Sequence, residues 1–302
     1  MPPPDAQLTA IIKAMSDEET TELRDQFYSL MDHIPDLTTD MQFYVQDEDI
    51  FLELINFLQG AVDGARRDDV RTMKGGTISL ISNWRGQGPV THFNSDKTLR
   101  GFNHPTIGRL LCPCDLLPDF DQNADRFCTQ VTEGHRVIEA GDFPAFLYDE
   151  TEYDSQRLDK GLLRSPYLVA CFRYLFTGRS SAAQSGPGPS NIGRPSIAVK
   201  HKNRRVLPEM IAWAAVLVRF GLSSQSNWCL QDGAFDLTEF YKLIVGLFSA
   251  RRSKWSIETL IWWNLKVWGP SSLEDHEKLA VSNRPTIAAR LAQQRVNEDV
   301  SD

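Results

Sequence analysis

Two imidazoles and a carboxylate lie within thirteen residues of this 302-residue chain: His92, Asp96 and His104. A non-haem iron centre takes two His and one carboxylate and leaves positions open for substrate or oxygen. The short His-x-Asp spacing usual in such centres is missing, because Asn94 stands where that Asp would be. His92, Asp96 and His104 are thus metal candidates for a metal-dependent enzyme, either an oxygenase or one derived from a mobile genetic element. Cys112-Pro-Cys114 has one intervening residue and no second cysteine pair after it. Zinc knuckles use two to four intervening residues.

Nucleophilic chemistry has fewer footholds. No Gly-x-Ser-x-Gly elbow occurs, nor any phosphate-cradling glycine loop. Cys171 lies in the apolar row Leu168, Cys171, Leu175, which reads as a buried, inert thiol. Asp142, Asp149, Glu150, Glu152, Asp154 and Asp159 could supply paired carboxylates for acid–base work or Mg²⁺. Their spacing singles out no pair and suits a solvated acidic surface. The basic run at Lys200, Lys202, Arg204 and Arg205, with Arg194 upstream, could contact phosphate or a partner, or serve as an import signal. The plainer reading is a solvated entry to the next helix.

Arg219 is a buried-charge candidate. It sits in LPEMIAWAAVLVRFGL, residues 207 to 222, the most apolar long stretch in the chain. An Arg there needs a carboxylate, and Asp232, Asp236 and Glu258 are available downstream. The alternative is an Arg that recognises an anion in a pocket, with Arg164 and Arg173 as further cations.

The elements that would hold these groups are helices. Pro208 suits a first helical turn, and Gly221 suits the left-handed position past a helix end. A helix apolar on nearly all sides must be surrounded by others. Ser165-Pro166 starts a helix through Phe176, with Gly178 after it. Asp236-Leu-Thr-Glu239 is a capping pattern. Ser256 can cap a helix ending at Gly269-Pro270. Helical patterns also cover the first 35 residues, 47 to 69, 73 to 84, 106 to 111 and 285 to 295, with Arg66 to Asp69 reading as a turn. Residues 85 to 106 read as loop with room for one short strand. Residues 115 to 134 are acidic and polar, 141 to 154 irregular, and 179 to 195 a Gly/Ser/Pro loop. Six of the seven tryptophans follow residue 165, so the densest core belongs there. Trp213, Trp228, Trp262 and Trp263 suggest a small-ligand pocket between helices.

Net charge is −8, which disfavours non-specific DNA binding. The opening residues do not read as a secretory signal, and no window reaches the length of a membrane span. An odd number of cysteines, two within apolar helical patterns, suits free thiols in a reducing compartment. Soluble, cytoplasmic or nuclear placement follows as the expectation.

Several segments together resemble an uncharacterised domain family expanded in mushroom-forming (basidiomycete) fungi. They are RGFNHPTIGRLLCP (100 to 113), GDFPAFLYDETEYD (141 to 154), KGLLRSPYLVACFRYLFTGRSSA (160 to 182), GRPSIAVKHKNRRVLPEMIAWAAVLVRFGLSS (193 to 224) and ETLIWWNLKVWG (258 to 269). The resemblance spans roughly 65 to 270. It implies a helical core with a variable N-terminal region and carries no catalytic residue. Around Lys200 the chain is more basic than such members.

The expected fold is mainly α: a single helical domain (67–296) with a loop-rich middle, a helical N-terminal appendage (1–66) and a frayed tail (297–302). The expected function is non-catalytic, through protein or nucleic-acid contacts at Lys200, Lys202, Arg204 and Arg205. No cofactor and no membrane contact are expected, and the oligomeric state stays open.

Overall fold

The computed structural model describes residues 48–84, 96–182, 205–249 and 253–269. In chain order its helices are α1 (Glu48–Trp84), α2 (Pro105–Leu111), α3 (Leu117–Gln122), α4 (Ala124–Thr132), α5 (Pro166–Phe176), α6 (Arg179–Ala182), α7 (Pro208–Leu222), α8 (Leu237–Ser249) and α9 (Lys254–Trp268). Strands β1 (Gln231–Asp232) and β2 (Phe235–Asp236) form a two-stranded antiparallel hairpin. The described chain is thus mainly α-helical. It divides into two units, Met1–Asp68 and Asp69–Asp302. The expected helices in the first 35 residues and at 285 to 295 lie outside the described residues, as do 183 to 195 of the Gly/Ser/Pro loop.

Local sequence explains most helix starts. The Ser165 hydroxyl accepts the Leu168 N–H at 3.4 Å, with Pro166 in the first position of α5. Asp236 Oδ1 accepts the N–H groups of Thr238 and Glu239 at 2.7 and 2.9 Å and starts α8. For α9 the expected cap is displaced by one turn. Ser253 accepts the Ser256 N–H at 3.1 Å, while the Ser256 hydroxyl points back to the Ser253 carbonyl. The two serines are three residues apart, and the first one takes the position. Gly269, at φ 83°, then ends α9.

Two other expectations change. The charged quartet Arg66 to Asp69 is helical, not a turn. Arg67 Nε donates to the Asp63 carbonyl at 3.2 Å and Arg66 lies 3.8 Å from the Asp63 carboxylate, contacts that run along a helix surface. The acidic stretch after Cys114 is also largely helical. Pro118 sits in the first turn of α3, and the Asn123 side chain accepts the Arg126 N–H at 2.9 Å to start α4. Phe120, Phe127 and Cys128 are the apolar face those helices bury. Residues 96 to 104, read as loop or short strand, make two 3-10 turns, Lys97–Leu99 and Gly101–Asn103.

Helix α7 occupies the middle of the Asp69–Asp302 unit. Residues 214 to 222 are all buried, and the helix packs on α8, α5 and α2. Trp263 of α9 is fully buried against Phe172 of α5, with ring centroids 5.0 Å apart. Its indole N–H donates to the Leu163 carbonyl at 2.9 Å. Leu163 itself has φ 58°, a left-handed backbone that costs a non-glycine residue on the order of 1 kcal/mol. The irregular middle segment is thus pinned by its own strained carbonyl. Phe146, Leu147 and Tyr148 of that segment are buried as well.

Gly221 has a different role from the one its position suggests. It lies inside the last turn of α7 and its φ is not positive. A Cβ placed there would sit 2.5 Å from Thr77 Oγ1 and 3.0 Å from the Met73 carbonyl oxygen. The missing side chain lets the backbones of α7 and α1 meet. Gly76 does the same on the other side, where a Cβ would meet the Tyr174 ring at 2.5 Å. Tyr167 closes the junction by donating its hydroxyl to the Thr77 carbonyl at 2.8 Å.

Gly221→Ala is therefore expected to lower unfolding free energy by about 1–3 kcal/mol through overpacking. Gly75→Ala, with nothing within 4 Å of the added methyl, is expected to raise it by up to about 1 kcal/mol. Urea titration of both variants checks the opposite signs.

Candidate functional site

The sequence-predicted residues scatter across the fold. His92, Lys200, Lys202 and Arg204 lie outside the described residues. Asp96 is an exposed cap: its Oδ1 accepts the Thr98 N–H at 2.9 Å and the Thr98 hydroxyl at 2.6 Å. Those bonds hold its carboxyl below the usual carboxylate range. His104 Nδ1 accepts the Thr106 N–H at 3.2 Å and starts α2, and burial lowers its pKa. Among the described residues no group of three His, Cys, Asp or Glu side chains is placed to hold a metal ion. Arg205 is exposed at the entry to α7, and the next residue is anchored: the Val206 N–H donates to Asn264 Oδ1 of α9 at 2.9 Å.

The thiols and carboxylates are likewise engaged in packing and turns. Cys112, Cys114, Cys128 and Cys171 are buried free thiols, and Cys229 is exposed. Burial pushes Cys114 up to about 12 and Cys128 to about 11. In the acidic segment, Asp149 accepts from Thr151, Asp154 pairs with Lys160, Asp159 with Arg157, and Glu152 with Arg164. Glu150 binds Arg109 at 2.8 Å, whose guanidinium also grips Asp121 at 2.7 and 2.9 Å. The four tryptophans read as a pocket form two edge-on pairs, Trp213 with Trp228 and Trp262 with Trp263.

Arg219 is 5% exposed, and its Nη1 lies 2.7 Å from Asp232 Oδ2. The guanidinium carbon sits 4.4 Å over the Phe235 ring. Of the three carboxylates weighed, Asp236 caps α8 and Glu258 lies 3.7 Å from Lys254 on α9. The hairpin thus delivers both the counter-charge, from β1, and the ring, from β2. Burial lowers the pKa of Arg219, and Asp232 opposes that shift.

Sequence reasoning missed the two cations that complete this end of α7. The last carbonyls of a helix have no intrahelical donor and carry partial negative charge. Here they are buried, so water cannot serve them. Lys97 is 2% exposed and its Nζ lies 2.5 Å from the Phe220 carbonyl oxygen, 2.5 Å from that of Gln225 and 3.3 Å from Ser223 Oγ. The same ammonium stands 3.5 Å from the centre of the Phe220 ring. Arg100 Nη1 donates to the Gly221 carbonyl at 2.8 Å and to that of Lys74 at 2.7 Å. Lys74 Nζ reaches the Ser226 carbonyl at 2.9 Å. The 3-10 turns from Lys97 to Asn103 position both cations, and Asp96 caps the first turn. The only sequence signal is indirect: an apolar helix end such as VLVRFGL must obtain donors from elsewhere.

The arrangement concentrates positive charge around one carboxylate. Burial, followed by Arg100 and Lys74, lowers Lys97 to about 7, while Asp232 acts in the opposite direction. A comparable use of a cation occurs at α9, where Arg173 of α5 donates to the Lys266 carbonyl in the last turn. These cations are bonded to main-chain oxygens, and their chemistry is that of caps.

The pH dependence of stability follows from Lys97. Its pKa is about 7 folded and roughly 10.4 unfolded, so between these values the unfolded chain binds more protons and stability rises with pH. Buried thiols act in the opposite sense above roughly pH 8.5, where the unfolded thiols begin to ionise. Between about pH 7 and 8 the stability of wild type relative to Lys97→Met is expected to grow by roughly 1 kcal/mol, below the limit of about 1.4 kcal/mol for one proton per pH unit. Urea midpoints across that window measure it, and parallel curves would remove the titration from Lys97.

No curated protein and no solved structure matches the chain. A model described as a family of unknown function, DUF6698, matches residues 60–268. That interval covers more than half of the chain and includes every structural feature of α7 and its cations, so the chain belongs to the DUF6698 family of unknown function.

Proposed function

We propose that this chain is a non-catalytic protein of the cytoplasm or nucleus that acts through contacts with other proteins. The contact surface is the N-terminal part of α1. Leu52, Phe57, Leu58 and Val62 are exposed there, Phe57 by 72%. Each large apolar side chain left in water forgoes about 1.5–3 kcal/mol of burial, and exposed apolar side chains gathered on one stretch of helix mark an interaction site. This exposure carries the reading. The buried cations around α7 support it from the other side, because they bond main-chain carbonyls and brace the fold. The free thiols support a reducing compartment. Among the described residues no helix is long and apolar enough to cross a membrane. Residues 1–66 act as an appendage to a domain at 67–296, a division supported by the start of the family match at residue 60.

A second reading places nucleic acid on the basic run. Arg205, exposed directly before α7, continues Lys200, Lys202 and Arg204 and is the observation in its favour.

Leu58→Asp adds a charge to the exposed row of α1 without touching the α7 core. Wild type used as bait is expected to retain one or a few proteins at near-stoichiometric levels, and Leu58→Asp to lose them. Equal retention by both baits would remove α1 as the contact surface. In the same preparation, a low-salt gel shift abolished by neutralising Lys200, Lys202, Arg204 and Arg205 would assign the contact to nucleic acid instead.

A further inference from the structure

We infer that Lys97 is a proton-operated clasp on the loop from Ser223 to Cys229: the loop is held when Lys97 is a neutral amine and loosened when it takes up a proton. Lys97 opens a 3-10 turn before α2 and reaches across to α7 and the residues that follow it. Its Nζ lies 2.5 Å from the Gln225 carbonyl oxygen inside the loop and 3.3 Å from Ser223 Oγ at the loop's start. The third contact, at 2.5 Å, is the Phe220 carbonyl oxygen of α7. Beyond Gln225 the chain is exposed through Leu230. Trp228 turns back to pack edge-on against Phe220, with ring centroids 5.1 Å apart. The Lys97 ammonium and Trp228 both bear on that ring, so release of the loop bares it.

The charges facing Lys97 explain why a proton loosens the loop. Arg100 follows on the next turn, Lys74 comes from α1 and Arg219 from α7, and Asp232 of β1 is the carboxylate among them. Asp232 is already engaged: its Oδ2 lies 2.7 Å from Arg219, and its Oδ1 accepts from the Gln225 side chain at 3.3 Å. Asp96, beside Lys97 in sequence, is exposed and turned to Thr98. A protonated Lys97 therefore sets four cations against one carboxylate. Guanidinium groups do not shed protons in proteins. Of the two lysines, Lys74 is half-buried and Lys97 only 2% exposed, so desolvation selects Lys97. The value of about 7 to which burial, Arg100 and Lys74 bring it agrees. An amine keeps two N–H groups, enough for the carbonyls of Phe220 and Gln225. An ammonium gains a third donor but meets desolvation and the repulsion of three cations, which opening to water relieves.

With the loop open, Lys97 stands in water and its pKa returns to roughly 10.4. Between about 7 and 10.4 the open form binds the additional proton, so closure strengthens as pH rises. Well below 7 both forms are protonated and the dependence vanishes. From about pH 6 to 8 the ratio of open to closed loop is expected to fall about tenfold.

Hydrogen exchange of the full chain at about pH 6, 7 and 8, corrected for intrinsic exchange at each pH, reads that ratio. Protection of amides 224 to 229 is expected to rise about tenfold across the range while staying below that of α7. Amides 149 to 161, in a segment pinned elsewhere, are expected to stay constant. Lys97→Arg keeps the charge and cannot shed it, so the rise is expected to disappear. NMR of the Lys97 side chain follows the titration in the unsubstituted protein, with a midpoint near 7 expected. An ammonium that persists above about pH 9, loop protection indifferent to pH, or a rise that survives in Lys97→Arg overturns the clasp. Loop protection equal to that of α7, and rising with it, assigns the titration to global unfolding and also overturns it.

Discussion

Buried carbonyl oxygens at the C-terminal end of α7 impose the main constraint on this structure. An apolar helix enclosed by other elements cannot release its last carbonyls to water, and each buried acceptor left without a donor costs about 1–3 kcal/mol. The chain meets the demand with cations. Lys97 joins the Ser223 N–H and hydroxyl on the Phe220 carbonyl, and Arg100 takes that of Gly221. Positive charge there also complements the helix dipole. The cost is desolvation and mutual repulsion, visible in the lowered pKa of Lys97, and Asp232 supplies the opposing charge. The hairpin that carries Asp232 also places Phe235 beneath Arg219. Cap, counter-charge and hairpin form one electrostatic unit.

The same end of α7 organises the packing. Gly221 admits the α1 backbone at Met73 and Thr77, and Arg100 bonds carbonyls from both helices, Lys74 of α1 and Gly221 of α7. Tyr167 of α5 then bonds the Thr77 carbonyl. Three helices meet within a few ångströms, and the loop from Ser223 to Ser226 is held there by Lys97 and Lys74. Polar groups at such a junction are worth more together than singly, since each shields the next from water.

Local signals in the sequence carried the helices well. Ser165-Pro166, Asp236 and Gly269 act where their types and neighbours place them, because caps depend on residues three or four positions away. The misreadings came from distance. Gly221 looks like a helix stop until Thr77 is brought against it. Lys97 and Arg100 sit in the ordinary polar stretch DKTLRGFN, while the carbonyls they serve lie more than 120 residues later. Arg219 was noticeable because a charge in an apolar helix violates the local pattern, whereas a lysine in a loop violates nothing. For the candidate site, Asp96 and His104 have metal-ligand chemistry in sequence, yet their side chains accept hydrogen bonds from Thr98 and Thr106. The apolar row of α1 was legible as amphipathic, but only its exposure separates a contact face from core.

Native-state hydrogen exchange of Arg100→Met, compared with wild type, tests the dependence of the fold on this cap most directly. If the cap holds the junction, amides in the last turns of α7, in α1 from Met73 to Leu80 and in α5 lose protection together, by on the order of 10- to 100-fold. Loss of protection confined to residues 223 to 226, with α7, α1 and α5 unchanged, would contradict it.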